Sequence, residues 1–210
     1  MRSLLAVLAL LVCSKFASAT PVSFKGGYGV MPAYNKDWAD LQLNYPTSNR
    51  QSLGVSSFYR QGPASSATFG IGQYNYLVKR WNELDSQANV NASVGIGGRH
   101  DSRENESLAG YAALEGDYET RRVYSQLAAE TLQSGASVHF SRYRARAGIA
   151  PYLAPFDGVQ TWLIMQVDYM PEMEDSLRLT PVTRFFYNNF AFEGGVSLQG
   201  IPFVAAAAHF

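Results

Sequence analysis

The sequence predicts an all-β chain, a closed antiparallel barrel of about twelve strands or, as the alternative count, ten. Apolar and polar side chains alternate with a two-residue period through nearly all of it, the period of a strand with two unlike faces and not the 3.6-residue period of a helix. Turn-forming residues break that alternation at short intervals. Composition agrees, because 47% hydrophobic and 13% aromatic residues with 18 Gly and 13 Tyr suit pleated strands, and 16% charged residues is too few for a disordered chain. The 210 residues carry 17 Lys+Arg against 17 Asp+Glu, so no basic surface for nucleic acid is expected, and one domain accounts for the length.

The N-terminus reads as a secretory leader. Arg2 supplies the positive end, Leu4 to Cys13 the apolar stretch, and Ala17-Ser18-Ala19 a small-x-small cleavage site, so residues 1–19 are expected to be a signal peptide and 20–210 the barrel domain. The apolar stretch is too short to span a bilayer as a helix, and no longer one follows it. Loss of Arg2 and Lys15 takes the basic side chains from 17 to 15 against 17 acidic, leaving the exported chain close to neutral. Cys13, the only cysteine, leaves with the leader, and an exported domain without disulfides suits a bacterial envelope.

Taken in order, a first strand is expected at 22–31. The next, 37–46, sets Ala39, Leu41, Leu43 and Tyr45 against Asp40, Gln42 and Asn44. In 87–98, Ala88, Val90, Ala92, Val94 and Ile96 alternate with Asn89, Asn91, Ser93 and glycines, and in 107–119 Leu108, Ala112, Leu114 and Tyr118 oppose Tyr111, Glu115, Asp117 and Glu119. Segment 122–133 fits a strand or a short helix, and alternation of Tyr124, Gln126, Ala128 and Glu130 against Val123, Leu127 and Ala129 favours the strand. Segments 157–170, 176–188 and 190–199 repeat the pattern, and 201–210 ends the chain. Gly95-x-Gly97-Gly98 lies in a strand with no helix after it, so it is no nucleotide loop; its small residues are expected to let lumen side chains pass or the sheet bend.

Ten-residue alternating segments between turns are what a bilayer demands of a β protein, since backbone groups in lipid pair only within a closed sheet. A soluble, lipocalin-like periplasmic barrel with the alternation inside out is the competing class, but its outer face would be rich in Lys and Glu. Here the polar face holds Gly, Ser, Asn, Gln and Tyr, and the chain has four lysines. Phe210 closes a strand on the face of Ala208, Ala206, Val204 and Pro202. This terminus resembles that of bacterial outer-membrane β-barrel proteins, whose last strand ends in an aromatic read by the barrel assembly machinery, although Ala208 stands where a second aromatic is usual. The resemblance implies outer-membrane lipid and that machinery as partners. Trp38, Tyr45, Tyr59, Trp81, Tyr118, Tyr152, Tyr169, Tyr187 and Phe190 would suit interfacial girdles.

Arg142, Arg144 and Arg146 share one parity, opposite Tyr143, Ala145, Ala147 and Ile149. An arginine facing lipid at the bilayer centre costs about 2–4 kcal/mol, so all three are expected in the lumen. Arg178 and Arg184 join them by parity, with Glu115, Asp117, Glu130, Asp168 and Glu193 as the opposite charge. These ten residues would form either a salt-bridge network filling a narrow barrel or an arginine track favouring anions. Phe24-Lys25-Gly26-Gly27-Tyr28 resembles an element near the start of twelve-stranded acidic-sugar porins.

His139-Phe140-Ser141 resembles the His-x-Ser element of lipid A deacylases, small barrels whose catalytic groups face lipid. Arg142 stands where those enzymes have Asn, and no carboxylate follows within a dozen residues to orient the imidazole. His100-Asp101-Ser102 reads as a solvated turn, within the longest and most charged connection, 100–106. Three scattered histidines give no metal-ligand spacing, and no cofactor is expected. The function expected is passive passage of small solutes, anionic ones among them. The alternatives are a plugged structural barrel, a lipid-modifying enzyme and the soluble binding barrel.

Overall fold

The computed structural model describes residues 21–62, 66–102, 105–135, 138–155 and 158–210, so the expected signal peptide lies outside the described residues. Every regular element described is a strand. They are β1 (Gly29–Asn35), β2 (Trp38–Ser48), β3 (Gln51–Gln61), β4 (Ser66–Asn82), β5 (Ser86–Asp101), β6 (Glu106–Thr120), β7 (Val123–Ser134), β8 (Val138–Ile149), β9 (Gln160–Tyr169), β10 (Leu177–Tyr187), β11 (Phe190–Val196) and β12 (Pro202–His209). Each pairs antiparallel with its chain neighbours, and β1 closes on β12 with Gly29 opposite His209 and Tyr34 opposite Val204. The twelve strands form a closed barrel with no free edge, and Pro21 and Phe210 lie at the same end.

Closure settles which face points in. Leu53, Val55, Val94, Ile96, Leu108, Leu114, Leu127, Ile149, Leu163 and Phe192 are all exposed on the outside, while Asn75, Asn89, Asn91, Gln166, Asp168, Arg178 and Thr180 are buried inside. That is the arrangement of a lipid-facing barrel and the reverse of a soluble one. Apolar packing survives inside in two clusters, one around Trp38, Trp162, Ile164 and Phe203, the other around Phe58, Phe69, Ile71 and Leu132. Segment 122–133 is strand β7, as its alternation requires.

Three expectations change. The first strand is 29–35 and not 22–31, because Gly26 takes φ +80 and turns the chain, and Val22 is fully buried. Trp38 belongs to no girdle: it shares the inward parity of Asp40 and is 0% exposed. Tyr45, Trp81, Tyr118, Tyr152, Tyr169, Tyr187 and Phe190 are exposed on the outside, Tyr59 partly so. The connection after β5 is only 102–105, since Asp101 and Glu106 still belong to strands, and 150–159 is longer. At the end of β5, Asp101 is buried, accepting hydrogen bonds from Arg99 Nη2 at 2.6 Å and Asn105 N at 3.0 Å, whereas His100 is exposed.

Local chemistry explains the hairpins. Asn35 Oδ1 accepts from the backbone N–H groups of Asp37 and Trp38 at 2.8 and 3.1 Å, closing β1 to β2 as an Asx turn. Asn188, at φ 52, sits in the left-handed region that a two-residue hairpin needs between Tyr187 and Phe190. A Cβ on Gly97 would strike the carbonyl of Gly70, so β4 and β5 approach there as only glycine allows.

Candidate functional site

The barrel's registers assemble the lumen into rows. Asn91, Glu115, Ala128, Arg144, Asp168 and Arg178 stand side by side across β5, β6, β7, β8, β9 and β10. One step along the strands, Ser93, Ala113, Glu130 and Arg142 form a second row; one step the other way, Asn89, Asp117, Gln126, Arg146, Gln166 and Thr180 form a third. Eight of the ten charged residues expected in the lumen stand in these rows, and the other two, Arg184 and Glu193, face each other across β10 and β11 and are buried on the same inner face. Period-two geometry carries them there, since rows on one face recur every second residue.

What the rows do not show is partnership. Arg60 and Arg142 each contact both Asp40 and Glu130. Arg142 Nη2 lies 2.8 Å from Asp40 Oδ2 and 2.9 Å from Glu130 Oε1, while Arg60 Nη2 lies 2.9 Å from the same Glu130 oxygen and its Nη1 pairs with Asp40. This closed quartet is nearly dry, with Arg60 and Asp40 side chains each 4% exposed. Glu193 takes Arg184 Nε at 2.6 Å on one oxygen and Arg146 on the other. Arg144 Nε donates to Asp168 at 2.7 Å, and Arg178 to Asp37 at 2.6 Å. Glu115 and Asp117 form no ion pair among the described residues; Asp117 accepts from Asn89 Nδ2 at 2.8 Å.

Aromatic rings fill the space between these pairs. The Arg142 guanidinium lies 4.3 Å from the Trp38 ring centre and that of Arg184 4.3 Å from Tyr124, with Arg144 also against Trp38 and Phe203 and Arg60 against Phe58. Such contacts stabilise a desolvated guanidinium by about 2 kcal/mol. Sequence reasoning misses Asp37, Arg60, Trp38 and Phe58 as lumen groups. Parity was the available signal, since Trp38 stands two residues before Asp40, and Arg60 two after Phe58.

On β2, β3, β4 and β5 one stretch of the lumen wall is polar without charge. Asn75 Nδ2 donates to Asn44 Oδ1 and Ser52 Oγ at 2.9 and 3.0 Å, and Ser93 Oγ to Asn75 Oδ1 at 2.6 Å. Ser52 Oγ also donates to the Pro21 carbonyl at 2.8 Å, docking the chain before β1 inside the mouth. Between this wall and the charged rows lies a cavity of ≈ 200 Å³ lined by Glu115, Gln126, Arg142, Arg144, Arg146, Asn91 and several alanines.

His139 and Ser141 do share the outward parity, and the fold brings them the carboxylate their neighbourhood in sequence lacks. Ser141 Oγ and Glu172 Oε1 lie 2.8 and 3.2 Å from His139 Nε2, and Glu172 Oε2 accepts from the Ser141 backbone N–H at 2.9 Å. Both oxygens meet the same nitrogen, whereas a relay that activates serine needs the carboxylate on the other one. β9 pairs with β8 only from Tyr143 onward, so Glu172 instead takes up an N–H that the ladder leaves open on β8.

No protein-family model matches the chain, and no curated protein matches it. Among solved structures it resembles the KdgM porin at TM-score 0.50 and 12% identity over 88% of this chain and 99% of that one. A second, described as KdgM porin in complex with disordered oligogalacturonate, gives 0.47 and 11% over 88% and 98%. LpxR from Salmonella typhimurium gives 0.42 and 9% over 88% and 99%. The first likeness carries the fold: this chain has the barrel fold of outer-membrane proteins.

Proposed function

We propose that the chain is a bacterial outer-membrane channel that passes small polar solutes, anions with modest preference. The observation that carries this reading is a closed barrel, apolar outside, whose inner wall concentrates arginine and carboxylate side chains in adjacent rows. Such a wall replaces part of a polar solute's hydration, and lipid outside it seals the path. The likeness to a porin supports a channel over an enzyme. Arginine favours anions, but each lumen arginine of β8 already has a carboxylate beside it, which holds that preference down. β12, followed by Phe210, which is exposed outside and meets Phe190 edge to face at 5.7 Å between ring centres, is the strand we assign to the barrel assembly machinery.

The test is ion selectivity in a planar bilayer. The wild-type barrel is expected to conduct with a slight anion preference, and Arg142→Ala with Arg144→Ala to turn it toward cations, because Asp40, Glu130 and Asp168 lose partners. Insertion without any conductance would overturn the channel and leave the second reading, a plugged structural barrel, which the packing of Trp38 and Phe58 inside the lumen favours.

A further inference from the structure

The ≈ 200 Å³ cavity presents opposite charges across a floor of small side chains. Glu115 and Arg144 flank Ala128 in one row, and two strand spacings put their backbones roughly 10 Å apart. Both side chains rise from the sheet while the alanine between them leaves the space open. Of the four carboxylates on the cavity wall, Asp40, Glu130 and Glu193 are each held by two arginines, and Glu115 forms no ion pair among the described residues. On the other side, Arg142 Nη1, Arg144 Nη2 and Arg146 Nε are buried donors without a hydrogen-bond partner. Buried polar groups of this kind are rare unless something polar meets them.

We propose that this cavity binds a small zwitterion of the free amino-acid class, its ammonium on Glu115 and its carboxylate on the free N–H of Arg144. A simple anion would satisfy the guanidinium side and face Glu115, and a simple cation the reverse; only a ligand carrying both charges answers both walls. The volume admits an amino acid with a short side chain, in place of the few waters that fill it otherwise. The inference deepens the channel reading by naming a solute class, but binding is measured apart from transport.

The experiment titrates the detergent-folded barrel with L-alanine, acetate and methylammonium, reading heat by calorimetry and, in a Trp81→Phe, Trp162→Phe background, the fluorescence of Trp38, whose ring lies 5.5 Å from the Arg144 guanidinium. L-Alanine is expected to saturate, about tenfold more tightly than either single-charge probe. Glu115→Gln keeps the shape and is expected to lose about tenfold for L-alanine while acetate, no longer facing a carboxylate, binds at least as well as before. Ala128→Leu fills the floor without touching a charge and is expected to abolish both. Heat-modifiable gel mobility confirms that each variant is folded. L-Alanine binding the wild type no better than acetate, or binding Glu115→Gln as it binds the wild type, overturns the site. Conductance separates the two proposals: a barrel that conducts without binding L-alanine loses the site alone, and one that binds it without conducting loses the channel alone.

Discussion

Asp40 shows what a single lumen carboxylate does. It contacts Arg60 and Arg142 at once and, with Glu130, balances both charges where the four side chains are largely shielded from water. Removing one member of a buried ion pair leaves the other charge uncompensated, so Asp40→Asn is expected to destabilise the folded barrel by about 3–5 kcal/mol in urea titrations read by gel mobility. Glu106→Gln, which breaks only an exposed contact of 4.0 Å to His100, should leave the same titration unchanged. If both variants behaved alike, the quartet would hold nothing together. The ten expected lumen residues were legible by parity, because a side chain's face follows from its position along the strand. Their partners were not: Asp40 and Arg142 stand far apart in the chain and meet only across the lumen, and Glu172 reaches Ser141 from another strand's connection.

Hairpins and ladders set the next scale. Asn188 at φ 52 holds β10 to β11, a conformation that costs most residues about 1–2 kcal/mol. Asn188→Val is therefore expected to lower stability by that amount while Asn188→Gly leaves it nearly unchanged, a contrast that unfolding midpoints decide. Gly97→Val would drive a side chain into the Gly70 carbonyl, and a sharply reduced yield of heat-modifiable barrel is expected. Normal folding of that variant would show that β4 and β5 can part there. Most strands were legible because alternation and turn residues agree along them. The exception was the first. Phe24, Lys25 and Tyr28 can be read as extended chain, yet Gly26 N donates to the Pro46 carbonyl at 2.9 Å and the chain bends before β1 begins.

At the scale of the whole molecule the two faces of the sheet obey different solvents. Leu127, exposed on the outside midway along β7, faces hydrocarbon in this reading, so Leu127→Arg is expected to cost about 2–4 kcal/mol in lipid vesicles. A cost near zero in vesicles would mean that Leu127 faces water. Fractionation asks the coarser question: insolubility in sarkosyl with a mobility shift on boiling is expected, and a soluble product would overturn the membrane reading altogether.

Alternation and turn residues by themselves pointed to a strand-built barrel of about twelve strands, the number found, and to which residues share a face. The reason is local: the pleat repeats every two residues whatever surrounds it. The few lysines and the cost of arginine in lipid already turned the polar face inward; only the tertiary structure decided that Trp38 and Phe58 pack inside among arginines, and that of the carboxylates on the cavity wall Glu115 alone keeps no ion-pair partner among the described residues. Those outcomes depend on which strands neighbour one another and on what crosses the lumen. Both are set by closing β1 onto β12, a contact between the two ends of the barrel that no stretch of neighbouring residues encodes.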